Sequence, residues 1–87
     1  MEVTTWDTKC SGKEQALKVL EEAAEVFSAV ENLEASPLPV DRIFLIALAD
    51  EIADVLTAIC NLARKYRIDV PAALIRCEQR NHKRGRC

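Results

Sequence analysis

Apolar residues recur at helical spacing through two long stretches of the chain, and a shorter helical stretch follows them. In the first stretch they lie three or four positions apart: Leu17, Leu20, Ala24, Phe27, Val30 and Leu33. The second stretch, residues 43–63, is apolar on most sides. No alternation typical of a strand competes with these patterns. We therefore predict an all-α protein.

Residues with strong capping preferences mark the ends of these helices. The expected N-caps are Ser11, Asp41 and Asp69, and Gly85 is the expected stop after the third helix. Glu14 stands three residues after Ser11, which is the spacing of a capping box. The first helix should end at residues 34–39, the second at about Tyr66 and the third, which begins at Val70, at about Lys83.

These three helices predict a helical hairpin with a short third helix. At 87 residues the chain forms one domain, residues 1–87, in which residues 1–11 are an N-terminal extension. Two long helices and a short one cannot cover this much apolar surface alone. We therefore expect a homodimer or homotetramer, in which a second copy completes a bundle of the four-helix type.

Three acids interrupt the second apolar stretch, where a plain core would have none. These are Asp50, Glu51 and Asp54, and a buried ionised carboxylate must be paired with a cation or bind a metal. The first helix offers a matching set, Glu21, Glu22 and Glu25. If the two helices pack antiparallel, four or five carboxylates meet, and hard oxygen ligands of this kind suit Mg²⁺ or Mn²⁺.

A less specific interpretation of the same acids stays open. The glutamates of the first helix could line a solvated face and pair with Lys18, since such spacings are common on helix surfaces. The acids of the second helix could form a polar stripe. A membrane span is not expected, because each central acid would cost roughly 2.5 to 3.5 kcal/mol on insertion scales.

Composition and charge exclude several other classes. Apolar residues make up 49% and charged residues 30% of the chain, which is typical of a folded protein. With one histidine and four cysteines that show no CxxC spacing, we expect no zinc site. The cysteines are expected to be reduced in the cytoplasm. The net charge is −2, so nucleic-acid binding is not expected, although basic residues crowd the C-terminal end.

Taken together, Glu22-x-x-Glu25 and Glu51-x-x-Asp54, separated by 25 residues, resemble the ExxE…ExxD signature of the MazG-like nucleotide pyrophosphohydrolases. Residues 15–25 resemble the first motif helix of that family, and residues 50–56 resemble the second. Residues 65–70 resemble the turn that follows, and residues 80–85 resemble the C-terminal segment. The resemblance covers about residues 15–85.

The resemblance implies Mg²⁺-dependent hydrolysis of a nucleoside triphosphate between its α and β phosphates, giving a nucleoside monophosphate and pyrophosphate. It implies that Glu22, Glu25, Glu51 and Asp54 are the metal ligands. The candidate catalytic residues are Glu21 and Glu22, and Glu21 either completes the metal site or orients the attacking water.

Four residues are candidates for binding the substrate: Lys18, Asn81, Lys83 and Arg84. Lys83 and Arg84 could equally be part of a frayed basic C-terminus. Two other functions stay open: a non-catalytic helical module that docks a protein partner, and the same fold acting on dUTP, dCTP or phosphoribosyl-ATP.

Overall fold

A computed structural model describes residues 3–5, 9–37 and 41–85, which form three helices and no strand. The helices are α1 (Gly12–Ala35), α2 (Arg42–Lys65) and α3 (Val70–Arg84). The start of α1 lies beside the end of α2, where the Tyr66 ring sits over Gly12, so the two helices form an antiparallel hairpin. The all-α prediction is confirmed.

Hydrogen bonds at the helix ends match the predicted caps. The Ser11 hydroxyl accepts a bond from the Glu14 amide, and the Glu14 carboxylate accepts one from the Ser11 amide. Asp69 caps α3 through the Ala72 amide. Gly85 ends that helix in the left-handed conformation, at φ 66°, which costs glycine little.

Asp41 makes hydrogen bonds at both described ends of the connection between α1 and α2. Asp41 accepts bonds from the amides of Ile43 and Phe44, at 3.1 and 3.3 Å, and so caps α2. Its other carboxylate oxygen accepts a bond from the Ser36 hydroxyl at 3.2 Å. This contact ties the residue after α1 to the start of α2.

The seam between α1 and α2 follows positions alternately three and four residues apart, as in an antiparallel coiled coil. On α1 these positions are Gln15, Val19, Glu22, Val26, Ala29 and Leu33. On α2 they are Phe44, Leu48, Glu51, Val55, Ala58 and Leu62. All twelve are buried or half-buried. Glu22 and Glu51 therefore stand in the middle of the seam.

Most of the apolar stripe that the sequence suggested for α1 lies off the face that meets α2, although its last member, Leu33, belongs to the seam. Leu17, Leu20 and Phe27 are 54%, 66% and 67% exposed, and on α2 Ile43 and Ile46 are also exposed. The hairpin instead turns Glu22 and Glu25 of α1 toward Glu51 and Asp54 of α2. The chain by itself therefore leaves a broad apolar surface uncovered.

The third helix stands apart from this hairpin. Helices α1 and α2 pack along their length, whereas α3 has almost no contact with either. The radius of gyration is 15.5 Å, against about 12 Å for a compact chain of this length. No helix in the described ranges is long and apolar enough to cross a membrane.

Candidate functional site

Four carboxylates meet at the centre of the α1–α2 seam. Glu22 and Glu25 come from α1, Glu51 and Asp54 come from α2, and one oxygen of each lies within 4.8 Å of those of the others. Each pair is three residues apart, so both members of a pair project from one face of their helix. We call this group the acidic cluster. The predicted meeting of the two motifs is confirmed.

Two oxygens of the acidic cluster are buried without a hydrogen-bond partner in the described part of the chain. Glu22 is 7% exposed and Glu51 is half-buried, and in each the Oε2 atom is unsatisfied. A buried carboxylate oxygen without a partner is costly. A cation bound among the four carboxylates would satisfy both oxygens.

Lys18 neutralises part of this negative charge. Its Nζ atom lies 2.7 Å from Glu22 Oε1, one helical turn along α1. The hydrogen bond and charge of Glu22 raise the pKa of Lys18, and the hydrogen bond from Lys18 lowers the pKa of Glu22. Glu22 is therefore held ionised at neutral pH, with Oε1 facing the ammonium group and Oε2 turned into the protein.

Glu25 differs from Glu22, because its carboxyl group keeps a proton to higher pH. Its hydrogen bond with Glu51, followed by its hydrogen bond with Glu22, raises its pKa to about 7. Carboxylates this close repel one another when all are ionised, so Glu25 keeps its proton to higher pH than an isolated glutamate does. Below about pH 7, a proton on Glu25 thus reduces the repulsion within the acidic cluster when no metal is bound.

The donor set fits a hard divalent cation. Oxygens on opposite sides of an octahedral Mg²⁺ ion are about 4.2 Å apart, so a spread of up to 4.8 Å among the ligand atoms needs only a small contraction. The ligands are all carboxylates, and soft metals favour sulfur or nitrogen instead. The chemistry of these residues therefore suits Mg²⁺ or Mn²⁺.

A cavity opens on each side of the acidic cluster along the seam. The larger, of about 590 Å³, lies toward the start of α1 and reaches Glu22 and Asp54. The smaller, of about 210 Å³, lies toward the connection between the helices and reaches Glu25 and Glu51. A ligand held at the cluster thus has room in both directions along the hairpin.

Only some of the residues predicted to bind substrate or to act in catalysis line the two cavities along the seam. Glu21 and Lys18 line the larger cavity beside the acidic cluster. Asn81, Lys83 and Arg84 lie on α3 and line neither cavity, and the Asn81 amide donates to Cys77 Sγ at 3.5 Å. A single chain therefore does not bring its C-terminal basic residues to the acidic cluster.

Several lining residues were not predicted from the sequence. In the larger cavity, Thr57 and Asn61 stand three and seven positions after Asp54. In the smaller, Ser28 and Asn32 stand three and seven positions after Glu25. Positions three and seven apart share a helix face, so this spacing is the signal that could have identified them.

The comparisons with known proteins agree with this geometry. The family model described as the MazG nucleotide pyrophosphohydrolase domain matches residues 11–85, which is most of the chain. The matched range includes all three helices and the acidic cluster. Among curated proteins and among solved structures, none matches the chain significantly.

Proposed function

The chain belongs to the MazG nucleotide pyrophosphohydrolase family, and from this premise we propose that it hydrolyses nucleoside triphosphates between the α and β phosphates. The products are a nucleoside monophosphate and pyrophosphate. One observation carries the proposal: two helices bring four carboxylates within 4.8 Å, between two cavities that open on the same groove. We further propose that residues 1–87 form a single domain, with residues 1–11 as an extension.

The proposed cofactor is Mg²⁺, with Mn²⁺ as a substitute, held by Glu22, Glu25, Glu51 and Asp54. The buried, unpartnered oxygens of Glu22 and Glu51 support this assignment, since desolvated carboxylate oxygens need a cation or a donor. When bound, the ion offsets the charge of the phosphates and makes the α-phosphorus more electrophilic.

The free thiols Cys10, Cys60 and Cys77 fit a reducing compartment such as the cytoplasm.

Glu21 is the proposed general base. It lines the larger cavity next to Glu22 and Asp54 without belonging to the acidic cluster, so it can approach a water at the α-phosphorus. The water oxygen bonds to that phosphorus as its proton passes to the Glu21 carboxylate. The bond to the bridging oxygen breaks, and pyrophosphate leaves with the electron pair.

Cations for the triphosphate come from two places in this proposal. Lys18 lines the larger cavity and is 60% exposed, so its ammonium group can turn from Glu22 to a phosphate. The cations Lys83 and Arg84, with Asn81 on the same helix, would reach an acidic cluster if a second copy of the chain presented its α3 there, since α3 has almost no contact with its own hairpin. The proposed assembly is therefore a homodimer or homotetramer.

Surface area supports this assembly. The accessible surface is 7157 Å², whereas a compact chain of 9.7 kDa exposes about 5,100 Å². The excess of about 2,000 Å² exceeds the roughly 800 Å² that each partner buries in a standard interface. Much of the uncovered surface is aliphatic or aromatic, including Leu20, Phe27 and Ile43.

Release of pyrophosphate from a panel of nucleoside triphosphates tests the function. The panel includes canonical ribo- and deoxyribonucleotides, dUTP, dCTP and modified bases, and phosphoribosyl-ATP is tested beside them. We expect release with Mg²⁺ and none with a chelator. A Glu51→Gln, Asp54→Asn variant should lose at least about a hundredfold in rate, because two of the four ligands lose their charge.

The matched control removes the same charges elsewhere on the same two helices. Glu31 and Asp50 are exposed and lie outside the acidic cluster and both cavities. A Glu31→Gln, Asp50→Asn variant should keep the native rate. Silence of the native chain across the whole panel, with both metals tried, would instead favour a non-catalytic interaction module.

A further inference from the structure

The groove along the α1–α2 seam is divided by the acidic cluster into two chambers of unequal size. The larger cavity has nearly three times the volume of the smaller, at about 590 against about 210 Å³. Glu22 and Asp54 border the larger, and Glu25 and Glu51 border the smaller. Each chamber is therefore bordered by one acid from α1 and one from α2.

The larger chamber combines apolar walls with a few polar groups, as ligand pockets usually do. Leu17 and the buried Ala58 supply apolar surface. The Thr57 hydroxyl donates to the Ala53 carbonyl at 3.0 Å, which leaves its oxygen able to accept a further bond. Asn61 adds a carboxamide, which carries both donors and an acceptor. These features suit a nucleoside.

The smaller chamber has a different chemistry. Ser28 and Asn32 line it from α1 and offer a hydroxyl and an amide as donors, while Phe44 lines it from α2. Glu25 and Glu51 form its border with the acidic cluster. The two carboxylates would repel a polyanion unless a cation lay between them, so a phosphate ligand can enter this chamber only together with a metal.

We propose that the substrate lies along the seam with its nucleoside in the larger chamber and its β and γ phosphates in the smaller. Thr57 and Asn61 then select the base and sugar, and Ser28 and Asn32 donate hydrogen bonds to the leaving pyrophosphate. This inference rests on the proposed function, because cutting between the α and β phosphates requires the α-phosphorus to lie at the acidic cluster. The two halves of the substrate then extend to opposite sides.

Two asparagine-to-alanine variants of the full chain test this orientation, one in each chamber. Calorimetry measures the binding of inorganic pyrophosphate with Mg²⁺, and the binding of triphosphate analogues that carry a methylene bridge between the α and β phosphorus atoms. Asn32→Ala should weaken the affinity for pyrophosphate on the order of tenfold and keep the order in which the triphosphate analogues with different bases bind. Asn61→Ala should leave pyrophosphate affinity unchanged and alter the ranking on the order of tenfold.

Further measurements separate misfolding from a wrong orientation. Circular dichroism and the thermal midpoint report whether each variant folds, and Asn61→Asp gives a variant of nearly the same shape if alanine unfolds the chain. The orientation is overturned if Asn61→Ala weakens the affinity for pyrophosphate and Asn32→Ala does not. It is also overturned if both folded variants bind pyrophosphate and rank the bases as the native chain does. These results are distinct from a native chain that releases no pyrophosphate, which overturns the proposed function itself.

Discussion

Glu25 on α1 and Glu51 on α2 meet across the seam of the hairpin, with one carboxylate oxygen of each within 4.8 Å of the other. The contact with Glu51, and after it the contact with Glu22, raises the pKa of Glu25 to about 7. A proton and a divalent cation can therefore serve the same purpose, which is to hold several carboxylates together. The thermal stability of the metal-free protein should therefore depend on pH in a way that the stability of the metal-bound protein does not.

The first prediction concerns stability against pH. The pKa of Glu25 is higher in the folded chain than its ordinary value of 4.5, so its contribution to stability is complete below that value and lost as pH rises through about 7. We expect the thermal midpoint of the metal-free chain to fall between about pH 5 and about pH 8. Saturating Mg²⁺ should remove the fall, because the ion replaces the proton.

A Glu25→Gln variant is the control for this effect. Glutamine keeps a neutral donor at the same position and does not titrate, so the fall in thermal midpoint over this pH range should shrink. An equally steep fall in the variant would show that another group is responsible.

Lys18 and a metal ion compete for the same carboxylate. Because Lys18 Nζ lies 2.7 Å from Glu22 Oε1, a Lys18→Met variant should bind Mn²⁺ a few times more tightly, as judged by calorimetry. The same variant should show a higher KM for a triphosphate, since it loses a cation from the larger cavity. Lys13→Met, on an exposed position of α1, should do neither. Weaker Mn²⁺ binding in Lys18→Met would contradict this account.

The exposed stripe on α1 should be covered by a second copy. Sedimentation equilibrium of the native chain should give at least twice 9.7 kDa. Phe27 is 67% exposed, and Phe27→Glu should shift the mass toward a single chain, because a buried charge without a partner costs several kcal/mol. Thr4→Glu adds the same charge at an exposed position outside the three helices and should leave the mass unchanged. A native mass of one chain at tens of micromolar would rule out the assembly.

The cap at Asp41 should matter more than its exposed neighbours. Asp41→Ala removes the acceptor for the Ile43 and Phe44 amides and for the Ser36 hydroxyl, and should lower the free energy of unfolding by about 1–2 kcal/mol. Asp41→Asn keeps a capping oxygen and should lose much less. Urea denaturation of both variants measures the difference, and equal stability of the alanine and native chains would contradict it.

Local signals in the sequence were enough for the helices and for the acidic cluster. The caps at Ser11, Asp41 and Asp69 form with amides two or three residues away, so they do not depend on the rest of the fold. The acidic cluster follows from two pairs of acids, each with its own helical spacing. Antiparallel packing then brings the pairs together.

Long-range packing was not readable in the same way. Helix α1 carries two stripes, one through Leu20 and Phe27 and one through Gln15, Glu22 and Ala29, and its sequence does not say which one meets α2. The more apolar stripe is the exposed one, since the acids of the two helices face each other. The position of α3 was equally open, because α3 makes almost no contact with α1 or α2.

The position of a label from isotopically heavy water tests the central claim most directly. A native chain incubated with Mg²⁺ and a hydrolysed triphosphate should place the heavy oxygen in the nucleoside monophosphate and none in pyrophosphate, because water attacks the α-phosphorus. The Glu51→Gln, Asp54→Asn variant should form almost no labelled nucleoside monophosphate in the same time. Heavy oxygen in pyrophosphate or inorganic phosphate, or unchanged product from the variant, would contradict the account.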